Sequence, residues 1–122
     1  MARNKSVASI TIASGASLSG AVNLGDKVLC AIILSAAWTA AALSFQASED
    51  NGVTWKDMFD DGGQEVTIPT AGAVAGQRIS IDPAMFGGVD MIKVRSGLTA
   101  AAVNQAADRI LTVVSRKFYA LD

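Results

Sequence analysis

Carboxylates are the chemically capable side chains that this chain concentrates. Glu49, Asp50, Asp57, Asp60, Asp61 and Glu65 are six of its eleven acidic residues, and they fall within seventeen positions. A calcium ion takes oxygen ligands from carboxylates on loops, which makes Asp50, Asp57, Asp60 and Asp61 candidate ligands. Paired carboxylates can also serve as acid and base in glycoside hydrolysis. Spacing argues against the common calcium loop. With Gly52 set at its invariant glycine, Ala47 falls at the first ligand position and Met58 at the last. A solvated acidic face, or one that meets a basic patch on another molecule, suits the cluster best. No metal, cofactor or catalytic residue is therefore expected.

The remaining inventory narrows the chemistry further. The chain has no histidine, which removes Ser-His-Asp and Cys-His catalysis and histidine metal sites. Its single cysteine, Cys30, lies in the apolar run 28–34 and reads as a small buried hydrophobe. Gly62-Gly63 and Gly87-Gly88 are isolated pairs without the strand-to-helix setting of a phosphate loop. A formal net charge of -1 supplies no basic field for nucleic acid. The basic residues Arg3 and Lys5 lie at the start, and Lys93, Arg95, Arg109, Arg116 and Lys117 near the end. Opposite charges on separate surfaces would suit a head-to-tail assembly.

Ser48-Glu49-Asp50-Asn51-Gly52-Val53-Thr54-Trp55 matches the pattern S-x-D-x-G-x-T-W at every specified position. This pattern is the Asp-box, a hairpin motif known from sialidase propeller blades. Asn51 and Gly52 both tolerate positive φ and make a strong turn. The Asp50 carboxylate is expected to accept backbone N–H groups across that turn. Ser48 and Thr54 are expected to pair through their hydroxyls, and Trp55 to turn inward as a plug with one N–H to satisfy. Every one of these roles is structural. A propeller needs several copies of the box, and this chain of 122 residues has one copy and no internal period.

Stepping outward from the motif, the chain reads as short strands divided by turn residues. Residues 9–12, 78–81 and 90–95 alternate polar with apolar, the period of a half-buried strand. Residues 21–24, 28–34, 42–48, 54–59, 65–68 and 109–118 complete the set. The run 28–34 is apolar throughout, as in a central strand or one lying under a neighbouring subunit. Residues 36–42 are alanine-rich and predict a single helical turn. Asp82 before Pro83 predicts a capped turn. Residues 71–76 and 97–107 predict loops of small residues, the first of them mobile. The chain is thus expected to be all-β: a single antiparallel β-sandwich or jelly roll of about eight strands. One domain spans 1–122, with 1–8 and 119–122 as arms. Residues 28–45 carry no charge but split into two strands, so no membrane span is expected.

The run Ala36-Ala37-Trp38-Thr39-Ala40-Ala41-Ala42-Leu43-Ser44-Phe45-Gln46-Ala47-Ser48 resembles small virion proteins encoded beside the capsid genes of tailed bacteriophages. Ile81-Asp82-Pro83-Ala84-Met85-Phe86, Ile92-Lys93-Val94-Arg95-Ser96-Gly97 and Asn104-Gln105 look like the same group. The resemblance implies a non-enzymatic capsid decoration or cement protein on the outer surface of the phage head. Its partners would be the major capsid protein and copies of itself, as a homo-oligomer. The alternative is a carbohydrate- or receptor-binding module of a tail or fibre. That role wants exposed aromatics, whereas Trp38 and Trp55 both read as buried.

Overall fold

The computed structural model describes residues 5–70 and 72–117. Ten strands follow one another: β1 (Lys5–Ile12), β2 (Val22–Asn23), β3 (Val28–Ile33), β4 (Leu43–Ser48), β5 (Lys56–Asp57), β6 (Thr67–Ile68), β7 (Arg78–Ser80), β8 (Met91–Leu98), β9 (Ala101–Ala102) and β10 (Arg109–Arg116). A 3₁₀ turn, Pro83–Phe86, separates β7 from β8. One sheet has the order β1-β10-β3-β7. The other has β2-β8-β4-β5, with β6 added against β4 and β9 against β8. Every pairing is antiparallel. The chain changes sheet between β1 and β2, β2 and β3, β3 and β4, β6 and β7, β7 and β8, and β9 and β10. The eight strands of the two main paths therefore stand in jelly-roll order, with the first strand beside the last.

Strand alternation builds the core between the sheets. Ile10 and Ile12 of β1, Leu111 and Val113 of β10, and Leu29 and Ile32 of β3 face inward from the first sheet. Leu43, Phe45 and Ala47 of β4 and Ile92 and Val94 of β8 oppose them. Phe86 of the 3₁₀ turn meets Phe45 edge to face, with centroids 5.2 Å apart. Each such large side chain contributes about 1.5–3 kcal/mol by leaving water. The Asp82 carboxylate caps that turn by accepting the Ala84 N–H at 3.0 Å, as expected from sequence.

The run 28–34 is the third strand of its sheet, and its lack of alternation has a structural cause. Val114 pairs with Ala31 and Ser115 with Leu29, so Cys30 is the extra residue of a β-bulge. Its thiol donates to the Val114 carbonyl at 3.4 Å. Ala31 and Val114 then lie on the outer face of the sheet, yet both are buried by their neighbours.

Several expectations need correction. Residues 36–42 form bends, without a helical turn. Trp38 is half-buried against the core, its indole N–H donating to the Ala41 carbonyl at 3.4 Å. The loop expected at 97–107 instead contains the end of β8 and its hairpin partner β9. Residues 72–76 do form a loop, in which Ala73 is buried and the Gly76 N–H donates to the Ser35 carbonyl. Strand β1 begins at Lys5, so residues 5–8 of the expected N-terminal arm belong to the ladder. Residues 1–4 and the C-terminal arm at 119–122 lie outside the described residues. Residues 28–45 divide between β3 and β4, and no helix among the described residues is long and apolar enough to cross a membrane.

Gly97 is where the β8–β9 hairpin closes on itself. Its φ is +95°, and an added Cβ would come within 2.6 Å of both the Ala101 carbonyl oxygen and the Val103 nitrogen. Backbone on both sides leaves nothing that can yield. Gly97→Ala should therefore cost about 2 kcal/mol or more in urea denaturation. Gly15→Ala, with positive φ but open space, should cost about 1–2 kcal/mol.

Candidate functional site

The sequence motif and the acidic cluster meet on the outer face of the second sheet. Ser44, Gln46 and Ser48 of β4 point outward there, because Leu43, Phe45 and Ala47 take the core side. Lys93 and Arg95 of β8 pair with Gln46 and Ser44 and share that face. Asp57 of β5 lies opposite Gln46. Two loops fold over this polar surface and bury much of it.

The first is the Asp-box. Asn51 and Gly52 have φ of +62° and +90°, as the turn requires. The Val53 N–H closes it on the Asp50 carbonyl at 3.4 Å. Ser48 and Thr54 do not pair with each other, contrary to expectation. Both hydroxyls donate to the Asp50 carboxylate, Ser48 at 2.8 Å and Thr54 at 2.6 Å. The Thr54 N–H adds a third bond at 2.9 Å. The Ser48 hydroxyl in turn accepts the Gly52 N–H at 2.8 Å. Asp50 is therefore the hub, because an ionised carboxylate can take several donors at once. Its pKa falls from 3.8 to about 2, first through the Thr54 hydroxyl, then the Thr54 N–H and the Ser48 hydroxyl.

Trp55 does not plug the core. Its indole N–H donates to the Gly52 carbonyl at 3.2 Å. The Lys93 ammonium stands 4.4 Å from the ring centroid, a cation–π contact. Trp55 thus lies half-buried outside the sandwich. Asp90, just before β8, ties the loop down. Its N–H donates to the Ser48 carbonyl at 2.9 Å, and its carboxylate accepts the Asn51 N–H at 3.2 Å.

The second cover forms around Arg95. The residue is only 7 % exposed although it points away from the core. Its guanidinium donates to Asp57 at 2.5 Å, to the Thr99 hydroxyl at 2.8 Å and to the Ser44 hydroxyl at 3.1 Å, and lies 3.5 Å from Glu65. Glu65 also accepts the Thr99 N–H at 3.0 Å. The Arg95 hydrogen bond holds the Asp57 carboxyl below its ordinary range against the opposing effect of burial, with help from Gln46. The sequence pattern placed Arg95 on a basic surface apart from the acidic region. The structure sets it between two of those acids.

The acidic residues consequently divide rather than converge. Asp50 serves its own loop, Asp57 serves Arg95, and Asp60 accepts the Gly62 and Gln64 N–H groups. No group of three or more acidic or cysteine side chains that could hold a metal exists among the described residues. The candidate calcium set Asp50, Asp57, Asp60 and Asp61 is therefore not brought together. Asp57 and Glu65 do come together, but with a guanidinium between them. A general acid needs a carboxyl held protonated, and Arg95 pushes Asp57 the other way.

Sequence reasoning missed a second buried knot. Gln105 is 1 % exposed and uses both ends of its amide. Nε2 donates to the Thr39 carbonyl at 3.0 Å and to the Ser96 hydroxyl at 2.7 Å. Oε1 accepts the Thr39 N–H at 2.8 Å and Arg109 Nε at 3.1 Å. Its only sequence signal was a polar residue inside a run of small ones. A cleft of about 250 Å³ opens beside the acidic loop, lined by Phe45, Val66, Ile68, Ile81, Met85 and Phe86 with Asp60, Glu65 and Asp82. All three of its carboxylates already accept bonds from the chain itself.

No protein-family model matches this chain, no curated protein matches it, and no solved structure does.

Arg95→Met should destabilise the protein by about 2–3 kcal/mol in urea denaturation, because it leaves Asp57 and Glu65 facing each other without a cation. Water reaches the Asp57 side chain, which is 31 % exposed, and limits the loss. The acid limb of stability follows from Asp50 and Asp57, whose pKa values are both depressed on folding. Their contribution is complete above the unfolded value of 3.8 and is lost as pH falls through the folded one, about 2 for Asp50. Asp50→Asn should flatten the fall of Tm across that interval, measured by circular dichroism, and lower Tm at neutral pH.

Proposed function

We propose that this chain is a structural, non-enzymatic protein of a tailed-bacteriophage virion. It would decorate or cement the outer surface of the head, bridging copies of the major capsid protein and contacting copies of itself. One observation carries the contact role. The four strands of the first sheet contain no acidic residue, and their outer face presents Val7 and Ile110 at 60 % and 58 % exposure. Lys5, Arg78 and Arg116 lie on the same strands. Large exposed apolar side chains rimmed by one sign of charge are what an interface uses. On the opposite face, the groups that could do chemistry are bound to one another.

The resemblance of residues 36–48, 81–86 and 92–97 to small virion proteins supports the placement. Jelly-roll order is shared by viral capsid and lectin domains, and a shared fold is an analogy only. The carbohydrate-binding reading has less behind it. A sugar platform needs an open aromatic face, and Trp55 carries Lys93 over its ring.

Mass spectrometry of purified particles should find the protein in stoichiometric ratio to the major capsid protein. Particles lacking it should lose DNA at lower temperature. Its absence from purified particles removes the proposal, and binding on a glycan array in place of particle association favours the carbohydrate reading.

A further inference from the structure

Strand β1 ends its sheet. It pairs with β10 on one side over eight residues in unbroken register, from Lys5 opposite Arg116 to Ile12 opposite Arg109. Among the described residues, no strand lies against its other side. In an antiparallel ladder, the N–H and C=O of alternate residues point to opposite edges. The Thr11 carbonyl accepts the Gly20 N–H at 3.3 Å, and Gly20 is no part of β10, so Thr11 faces the open edge. By the same alternation Lys5, Val7 and Ser9 face it too, and among the described residues none of their backbone groups has a partner on that side.

We propose that this edge pairs with β1 of a second copy, antiparallel and about a two-fold axis at Val7. The register follows from the free groups. Centring on Val7 sets Val7 against Val7 and Lys5 against Ser9, uses all three open residues of each copy, and leaves Thr11 with Gly20. Centring on Ala8 instead would require the occupied Thr11. The side chains agree. On the outer face, Val7 meets Val7 and extends the apolar row that Val7 already shares with Val114 and Ala31. The two Lys5 ammonium groups are kept apart. On the core side, Ser6 meets Ala8, and both are small and only half-buried in the single chain. Devices that usually guard an edge, such as a proline, a bulge or an inward charge, are missing from β1. The result is one continuous sheet of eight strands across an isologous dimer. The proposal concerns the isolated chain and does not depend on the capsid reading.

Sedimentation of the full-length protein over rising concentration tests it. The wild type should pass from monomer to dimer. Val7→Pro removes an N–H that faces solvent in the monomer, so the β1–β10 ladder keeps its bonds. It should raise the dimer dissociation constant about tenfold or more, with the far-ultraviolet spectrum of the wild type. Should Val7→Pro fail to fold, Val7→Lys replaces it and should separate the copies by charge. In a Cys30→Ala background, Val7→Cys should form an intermolecular disulfide under mild oxidation, since paired Cα atoms would lie about 5.5 Å apart. Thr11→Cys should not. A wild type that stays monomeric at every concentration overturns the proposal. So does a dimer that Val7→Cys fails to cross-link.

Discussion

A guanidinium taken out of water must be paired, and Arg95 is taken almost wholly out of water. That constraint organises one side of the molecule. The cation holds Asp57 of β5, Glu65 before β6, Ser44 of β4 and Thr99 between β8 and β9. Strands of only two residues, which have little cohesion of their own, are thereby tied to the two longest strands of the sheet. Net stability from such a knot is modest, because desolvation offsets most of the Coulomb gain. Its effect is on position: loops that could otherwise wander are fixed over the sheet. The Asp-box works the same way with the opposite charge, using one carboxylate as hub in place of one guanidinium.

The two outer faces of the sandwich end up unlike. The second sheet turns serines, Gln46, Lys93 and Arg95 outward, and each finds a partner in a neighbouring strand or a covering loop. The first sheet turns valines, isoleucines, threonines and basic residues outward, and no loop among the described residues covers Val7 or Ile110. A polar face that is internally satisfied has little left to offer a ligand. An apolar face bounded by positive charge, next to an open strand edge, gains by meeting another surface. This contrast is what supports the proposed contact role of the first sheet, while the second supports its own loops.

The local features were legible in the residues themselves. Alternation marked Ile10 and Ile12, Ile92 and Val94 as inward pairs. Asn51-Gly52 announced its turn, and Asp82-Pro83 its cap. The misreadings came from small residues. Gly97, Ala101 and Ala102 carry too little side chain to register as strands, although the backbone contact at Gly97 requires the absence of a Cβ. The alanines of 36–42 suggested a helical turn, but Gln105 holds Thr39 from sixty-six residues away. The bulge at Cys30 broke the period of β3, so an apolar run gave no face.

Sequence alone determined the all-β class, the Asn51-Gly52 turn, the Asp82 cap and the inward faces of β1 and β8, because these depend on residues within a few positions of one another. Tertiary structure alone decided the fate of the outward faces. Whether Arg95 meets solvent or two carboxylates, whether Trp55 fills the core or lies under Lys93, and whether the edge of β1 is covered all depend on where distant loops pass. A strand's own residues say which side is out. Only the path of the rest of the chain says what, if anything, lies over it.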